Sequence, residues 1–178
     1  MPFHRQQLQF MIELVDYRTT YLNPFFQLLH YVDSMYFAFL LIPFVCVGLS
    51  YKWGIRLFCG FFISMLINKA CKNLLGWPRP SVDLAGLGLY SLDSFGFPSN
   101  AAQTAAFLGG LIAYYWKNKY AVFLGILYAL LIGFSRLYLG VHYPMDVLGG
   151  WVIGLVLLVI FIKTIDPLEK FIKNLFQP

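Results

Sequence analysis

The chain of 178 residues is 60% hydrophobic and 19% aromatic but only 12% charged, about half the charged fraction of a soluble globular domain. A mean hydropathy of +0.69 excludes a disordered chain, a coiled coil and a polar nucleic-acid binder. The formal net charge of +5 therefore calls for a membrane explanation, and the length fits one domain.

From the N-terminus, residues 1–15 mix polar and apolar side chains, with neither the apolar core nor the small-residue cleavage site of a secretory signal. Insertion is expected to rely on internal spans. Leu8, Phe10, Met11, Leu14 and Val15 recur at helical spacing among Gln6, Gln7, Gln9, Glu13 and Asp16, which predicts either an interfacial amphipathic helix or a helix packed on a bundle. Asn23-Pro24 is a break, and residues 25–32 form a second apolar stretch, read as a short interfacial helix.

Five segments then approach the roughly 20 apolar residues that a spanning helix needs: about 34–51, 53–75, 99–116, 120–138 and 145–162. The expected fold is an all-α integral membrane bundle forming one domain over 1–178, with an interfacial segment at 1–33, a core at 34–162 and a cytoplasmic tail at 163–178. Arg56 and Lys69 lie near the ends of the second span, where long side chains snorkel to the headgroups. Cys46, Cys59 and Cys71 read as buried thiols, Gly149, Gly150 and Gly154 as helix-packing positions, and Trp53, Tyr90, Tyr114, Tyr115, Trp116 and Tyr120 as an interface belt. The stretch 76–97, dense in Pro, Gly, Ser and Asp, is a loop long enough to be functional.

Charge orients the bundle. Lys52, Lys117, Lys119, Lys163, Lys170 and Lys173 fall on one side, which the positive-inside tendency makes cytoplasmic. The long loop and the N-terminus then lie on the extracytoplasmic side, where Lys72, Arg79, Ser99, Ser135, Arg136, His142 and Asp146 converge. Three cations beside a serine at a helix N-terminus suit a phosphate group, because Arg matches phosphate oxygens in pairs and free helix N–H groups bind anions. His142 is the candidate nucleophile, and Asp146 is placed to fix its tautomer so that the other ring nitrogen can attack phosphorus. This chemistry, hydrolysis through a phosphohistidine, needs no metal or cofactor. Taken singly, Asp146 also fits a helix cap, and Arg136 and Lys72 fit interfacial anchors.

The pattern resembles the type 2 phosphatidic acid phosphatases (PAP2), relatives of the vanadium haloperoxidases. Lys72, six residues, Arg79-Pro80 matches the first signature of that family, and Ser135-Arg136, five residues, His142, three residues, Asp146 matches the third. The second normally reads Pro-Ser-Gly-His, whereas here Pro98-Ser99 precedes Asn100-Ala101. The resemblance implies that Lys72, Arg79, Ser99 and Arg136 cradle the phosphate, that His142 attacks and that Asp146 orients it. It also implies that Ala101 stands where the catalytic acid belongs, and alanine can neither protonate a leaving alkoxide nor activate water.

A pocket otherwise intact suggests an enzyme inactivated by replacement of histidine at 101. The alternatives are a lipid-phosphate-binding or transport pseudoenzyme, or proton transfer by another group; His4 and His30, both in the N-terminal segment, are the other histidines. A channel or structural membrane protein is the reading without phosphate affinity. The implied partners are membrane lipids and a lipid phosphate or pyrophosphate, with no nucleic acid. Undecaprenyl diphosphate, phosphatidic acid, phosphatidylglycerol phosphate and sphingoid phosphates are the candidates, hydrolysed at the outer face of a bacterial inner membrane.

Overall fold

The computed structural model describes residues 2–32, 35–48, 50–80, 86–90 and 92–176. Ser34, at the expected start of the first span, lies outside the described residues, as do the side chains of His4 and Lys173. In chain order the described helices are α1 (Pro2–Asp16), α2 (Leu22–Val32), α3 (Met35–Gly48), α4 (Tyr51–Leu75), α5 (Asn100–Trp116), α6 (Lys119–Tyr138) and α7 (Pro144–Phe176).

Each expected span coincides with one of α3 to α7, and among the described residues α4, α6 and α7 are the helices long and apolar enough to cross a membrane. α3 has 14 residues and α5 has 17, short of the usual spanning length. α3 gives way to Ser50, whose extended backbone opens α4. α5 stops where Lys117 turns into the left-handed region at φ 49°, a common helix terminus. At the other extreme, α7 runs through the expected cytoplasmic tail, with Pro167 inside it. Large apolar side chains such as Leu40, Val47, Leu74, Phe123 and Val152 point outward without protein cover. With the three spanning helices, they make the chain an integral membrane protein of the all-α class.

α5 is the axis, packed along α6 and α7. Its alanines and glycines let the backbones meet: a Cβ on Gly109 would collide with the Gly125 carbonyl of α6, and one on Gly150 or Gly154 of α7 with the Ser99 or Gln103 carbonyl. Gly150 and Gly154 thus serve close packing as expected, while Gly149 makes room for the Phe97 ring. Below these contacts Phe107, Leu111, Leu158, Phe161 and Ile165 form an apolar cluster. Between α4 and α5 lies a buried polar knot. Gln103 Nε2 donates to Ser64 O at 2.8 Å and to Ser64 Oγ at 2.9 Å, and Asn68 Nδ2 donates to Gln103 Oε1 at 2.9 Å and to Pro98 O at 3.2 Å. Polar groups away from water need such partners, and these tie the start of α5 to α4 beneath the long loop.

At the far end Arg56 does not snorkel. It is buried, donating from Nε to Glu169 at 2.6 Å, from Nη1 to Tyr115 Oη at 2.8 Å, and pairing with Asp166; Lys52 joins Glu169 at 3.0 Å. Carboxylates on the last turns of α7 thus take the cation inward. Tyr115 accordingly leaves the expected aromatic belt, as does Tyr90, which stacks on His30, whereas Tyr114, Trp116 and Tyr120 are exposed. The three cysteines are free and only partly covered, because apolar residues of a membrane bundle face outward as well as in.

α1 and α2 pack on the site end rather than standing off as an interfacial appendage. Met11 is enclosed with Leu87 and Tyr143, Gln7 Oε1 accepts from Met145 N at 3.0 Å, and Phe26 stacks on Tyr138 at 4.0 Å. Arg18 donates to Tyr138 O at 2.7 Å and to Leu87 O at 2.9 Å, fastening the long loop to the end of α6.

Candidate active site

The structure brings together all the residues nominated above for the phosphate site. Lys72 comes from the last turn of α4, Arg79 from the loop, Ser99 from the N-cap of α5, Arg136 from the last turn of α6, His142 from the α6–α7 connection and Asp146 from the first turn of α7. All six are buried, so none is the surface anchor or exposed cap that it resembles when taken alone.

The tautomer of His142 can be read from its neighbours. Arg79 Nη1 lies 3.1 Å from His142 Nε2 and donates to Val141 O at 2.7 Å. A guanidinium only donates, so Nε2 offers its lone pair and the ring proton sits on Nδ1. That nitrogen lies 3.3 Å from Asp146 Oδ2, which also accepts from Tyr143 N at 2.9 Å. Asp146 is therefore both cap and orienter. Burial holds the His142 imidazole well below its ordinary value, and the cations Arg79, Lys72 and Arg136 push it further the same way. The ring is kept neutral, the form in which an imidazole nitrogen is able to act as a nucleophile.

Lys72 and Arg79 rest on uncharged loop oxygens. Lys72 Nζ donates to Phe95 O, and to Gly96 O at 3.2 Å. Arg79 donates from Nε to Ser94 O at 2.5 Å and from Nη2 to Ser94 Oγ at 2.8 Å. Burial pushes the Arg79 guanidinium down to about 10, with Asp146 opposing and Arg136 adding to the shift, so it is still a cation at neutral pH. Arg136 Nε reaches Ser135 Oγ at 3.0 Å, and Ser135 Oγ donates to Ile132 O at 2.6 Å. Gly96 lets the loop close, since a Cβ there would press on Pro78 O and Asp146 Oδ2. Ser99 N donates to Asp146 O at 2.9 Å, and Ser99 Oγ caps Ala102 N at 3.5 Å, which joins the starts of α5 and α7. Developing negative charge on a transferring phosphoryl group needs fixed cations and N–H groups of this kind. Among the described residues no group of three or more His, Cys, Asp or Glu side chains is placed to ligate a metal ion.

Ala101 lies outside this polar set, packed with Ala105 and Ile132 and against Leu29 of α2. The residue that sequence reasoning left unplaced is His30, whose Nδ1 lies 2.9 Å from Arg136 Nη1. Its single signal is being a histidine in an otherwise apolar stretch. Ser94 and the carbonyls of Phe95 and Gly96 carry no signal, because any loop residue offers such oxygens.

The PAP2 superfamily model matches residues 53–169. Phosphatidylglycerophosphatase B of Bacillus subtilis is 34% identical over 154 residues, covering 79% of this chain and 73% of that protein. An undecaprenyl-diphosphatase of Sulfolobus acidocaldarius is 30% identical over 123 residues, covering 67% of this chain and 59% of the relative. The crystal structure of a transmembrane PAP2-type phosphatidylglycerolphosphate phosphatase from Bacillus subtilis superposes with a TM-score of 0.82 at 28% identity, over 93% of this chain and 87% of that one. Sequence signatures, helical architecture and these likenesses agree, and the chain belongs to the PAP2 superfamily of membrane phosphatases.

Proposed function

We infer that this chain hydrolyses a phosphomonoester or pyrophosphate carried by a lipid, at the extracytoplasmic face of a bacterial inner membrane. The observation that carries the reading is the buried His142, with Nδ1 on Asp146 and the Nε2 lone pair turned to Arg79. Lys72, Arg79, Arg136 and the N-cap Ser99 would hold the phosphate, and His142 would form the phosphoenzyme. The site end carries α1, α2 and the long loop, while Lys52, Lys117, Lys119, Lys163 and Lys170 belong to the opposite helix ends, which supports the outward assignment.

Relatives named for phosphatidylglycerophosphate and undecaprenyl diphosphate support a lipid substrate; phosphatidic acid and sphingoid phosphates share the phosphomonoester of the first. Because position 101 carries no proton donor, pyrophosphates, whose leaving group is itself a phosphate, are the less demanding substrates. Ala101 is also what favours the second reading, a lipid-phosphate-binding pseudoenzyme.

The test is phosphate release in detergent over a panel of lipid phosphates and pyrophosphates without added metal, with His142→Ala as background. Release above that background from at least one lipid is expected. Lipid binding without release, in both the chain and its Ala101→His variant, gives the lead to the binding protein.

A further inference from the structure

We propose that His30, on α2, is the proton-transfer residue of this site, supplying from the N-terminal segment what Ala101 lacks; the inference rests on the phosphatase reading above. The first ground is position. His30 Nδ1 lies 2.9 Å from Arg136 Nη1, and Arg136 acts electrostatically on both His142 and Arg79. One guanidinium thus links the nucleophile's surroundings to a second imidazole. Since Arg136 only donates, Nδ1 presents its lone pair toward the cradle, and the proton of the neutral ring is on Nε2.

The second ground is the packing around position 101. Leu29, next to His30, packs with Ala101, Ala105 and Ile132, so α2 covers the first turn of α5 where a histidine would otherwise stand. The third is fixation. Tyr90 from the long loop stacks on His30 with centroids 4.9 Å apart and planes at 24°, Tyr31 lies beside it on α2 at 5.9 Å, and Tyr138 Oη ties α2 down through Asn23 Oδ1 at 2.8 Å. Burial and the Arg136 charge hold the His30 imidazole below its ordinary value, hence neutral at pH 7.

A bound phosphate dianion engages Arg136 in place of His30, and its charge favours uptake of a proton from solvent at Nδ1. In the first step the His142 Nε2–phosphorus bond forms and the phosphorus–oxygen ester bond breaks. The leaving oxygen keeps the electron pair and takes the proton from His30. In the second step a water oxygen bonds to phosphorus, the phosphorus–nitrogen bond breaks with its pair returning to His142, and the water proton goes to His30 Nδ1. The sum is ester plus water to alcohol plus phosphate, with both histidines restored.

The experiment compares the parent chain, His30→Ala, His30→Asn and the double variant His30→Ala/Ala101→His on a lipid phosphomonoester and on p-nitrophenyl phosphate, whose leaving group departs without a proton. Thermal shift with vanadate reports an intact cradle in each. Asparagine keeps an oxygen acceptor for Arg136 but transfers no proton. Both single variants are expected to lose about 10²- to 10⁴-fold in kcat on the lipid, while keeping the vanadate shift and the initial burst of nitrophenolate; histidine at 101 is expected to return part of the lost turnover. A His30→Asn chain that hydrolyses the lipid at the parental rate overturns the proposal in favour of a positioning role. So does equal loss of burst and lipid turnover. A parent that releases phosphate from neither compound overturns the phosphatase reading itself, a result the parent alone identifies.

Discussion

Asp146 spends one oxygen on two partners, Tyr143 N at 2.9 Å and His142 Nδ1 at 3.3 Å, and the two roles can be separated. In Asp146→Asn the amide oxygen can still cap Tyr143 N, but the charge that steadies a developing imidazolium is gone. A fall in kcat of about 10²- to 10⁴-fold with KM and thermal stability nearly unchanged is expected, and steady-state kinetics beside a melting curve check it. The pH profile tests the burial of His142. Its pKa lies below the ordinary 6.5, so the ring is neutral at pH 6.5 and above and protonates only at lower pH; the acid limb of kcat/KM is expected below 6.5. Replacing Arg79 by Gln removes the largest charge acting on that ring and should move the limb upward. The signature residues are legible in the sequence because their chemistry and spacing combine within short stretches. His30 is not, because only packing of α2 against α6, 106 positions along the chain, gives it a neighbour to act with.

Helix positions are legible because apolar runs of the right length have few other outcomes in this composition, and every expected span is met by a helix. Their ends are less so, since α5 stops short where Lys117 turns left-handed and α7 continues through charged residues that read as a tail. The carboxylates among them, Asp166 and Glu169, pair with Lys52 and Arg56, more than 100 positions away. The glycine contacts yield a prediction at this scale. In Gly109→Ala the new methyl meets backbone of α6 at Gly125, which no rotamer change relieves, so a loss of about 1–3 kcal/mol is expected. Gly48→Ala is the control, because its Cβ would touch only the Phe44 ring at 3.8 Å. Thermal unfolding of the two in the same detergent decides; equal shifts would show that the α5–α6 approach is not tight.

As a whole, the bundle is closed at both ends by different means: a loop and two N-terminal helices over the site, and an ion network at the far end. Arg56 is buried there among Asp166, Glu169 and Tyr115. Asp166 is exposed and Glu169 partly so, so the Asp166→Asn/Glu169→Gln double variant, which leaves Arg56 with neutral acceptors, is expected to lose about 1–3 kcal/mol, between an exposed and a fully buried pair, read by unfolding, while vanadate still stabilises whatever fraction folds. An unchanged melting temperature would show that solvent or lipid headgroups already satisfy Arg56. The candidate site draws on six stretches of chain between residues 72 and 146 and on none alone, so it exists only in the assembled bundle.

Lys72 and Arg79 rest on carbonyl and hydroxyl oxygens of Ser94, Phe95, Gly96 and Val141, and among the described residues Asp146 is the carboxylate that acts on both. Such a pocket has a standing excess of positive charge that a dianion of the right size neutralises, whatever is or is not attached to it. Inorganic phosphate, the product, has the same charge and shape as the group that is cleaved. An arrangement that draws in a lipid phosphate would therefore also retard the departure of inorganic phosphate, and competitive inhibition by free phosphate is the expected sign of it.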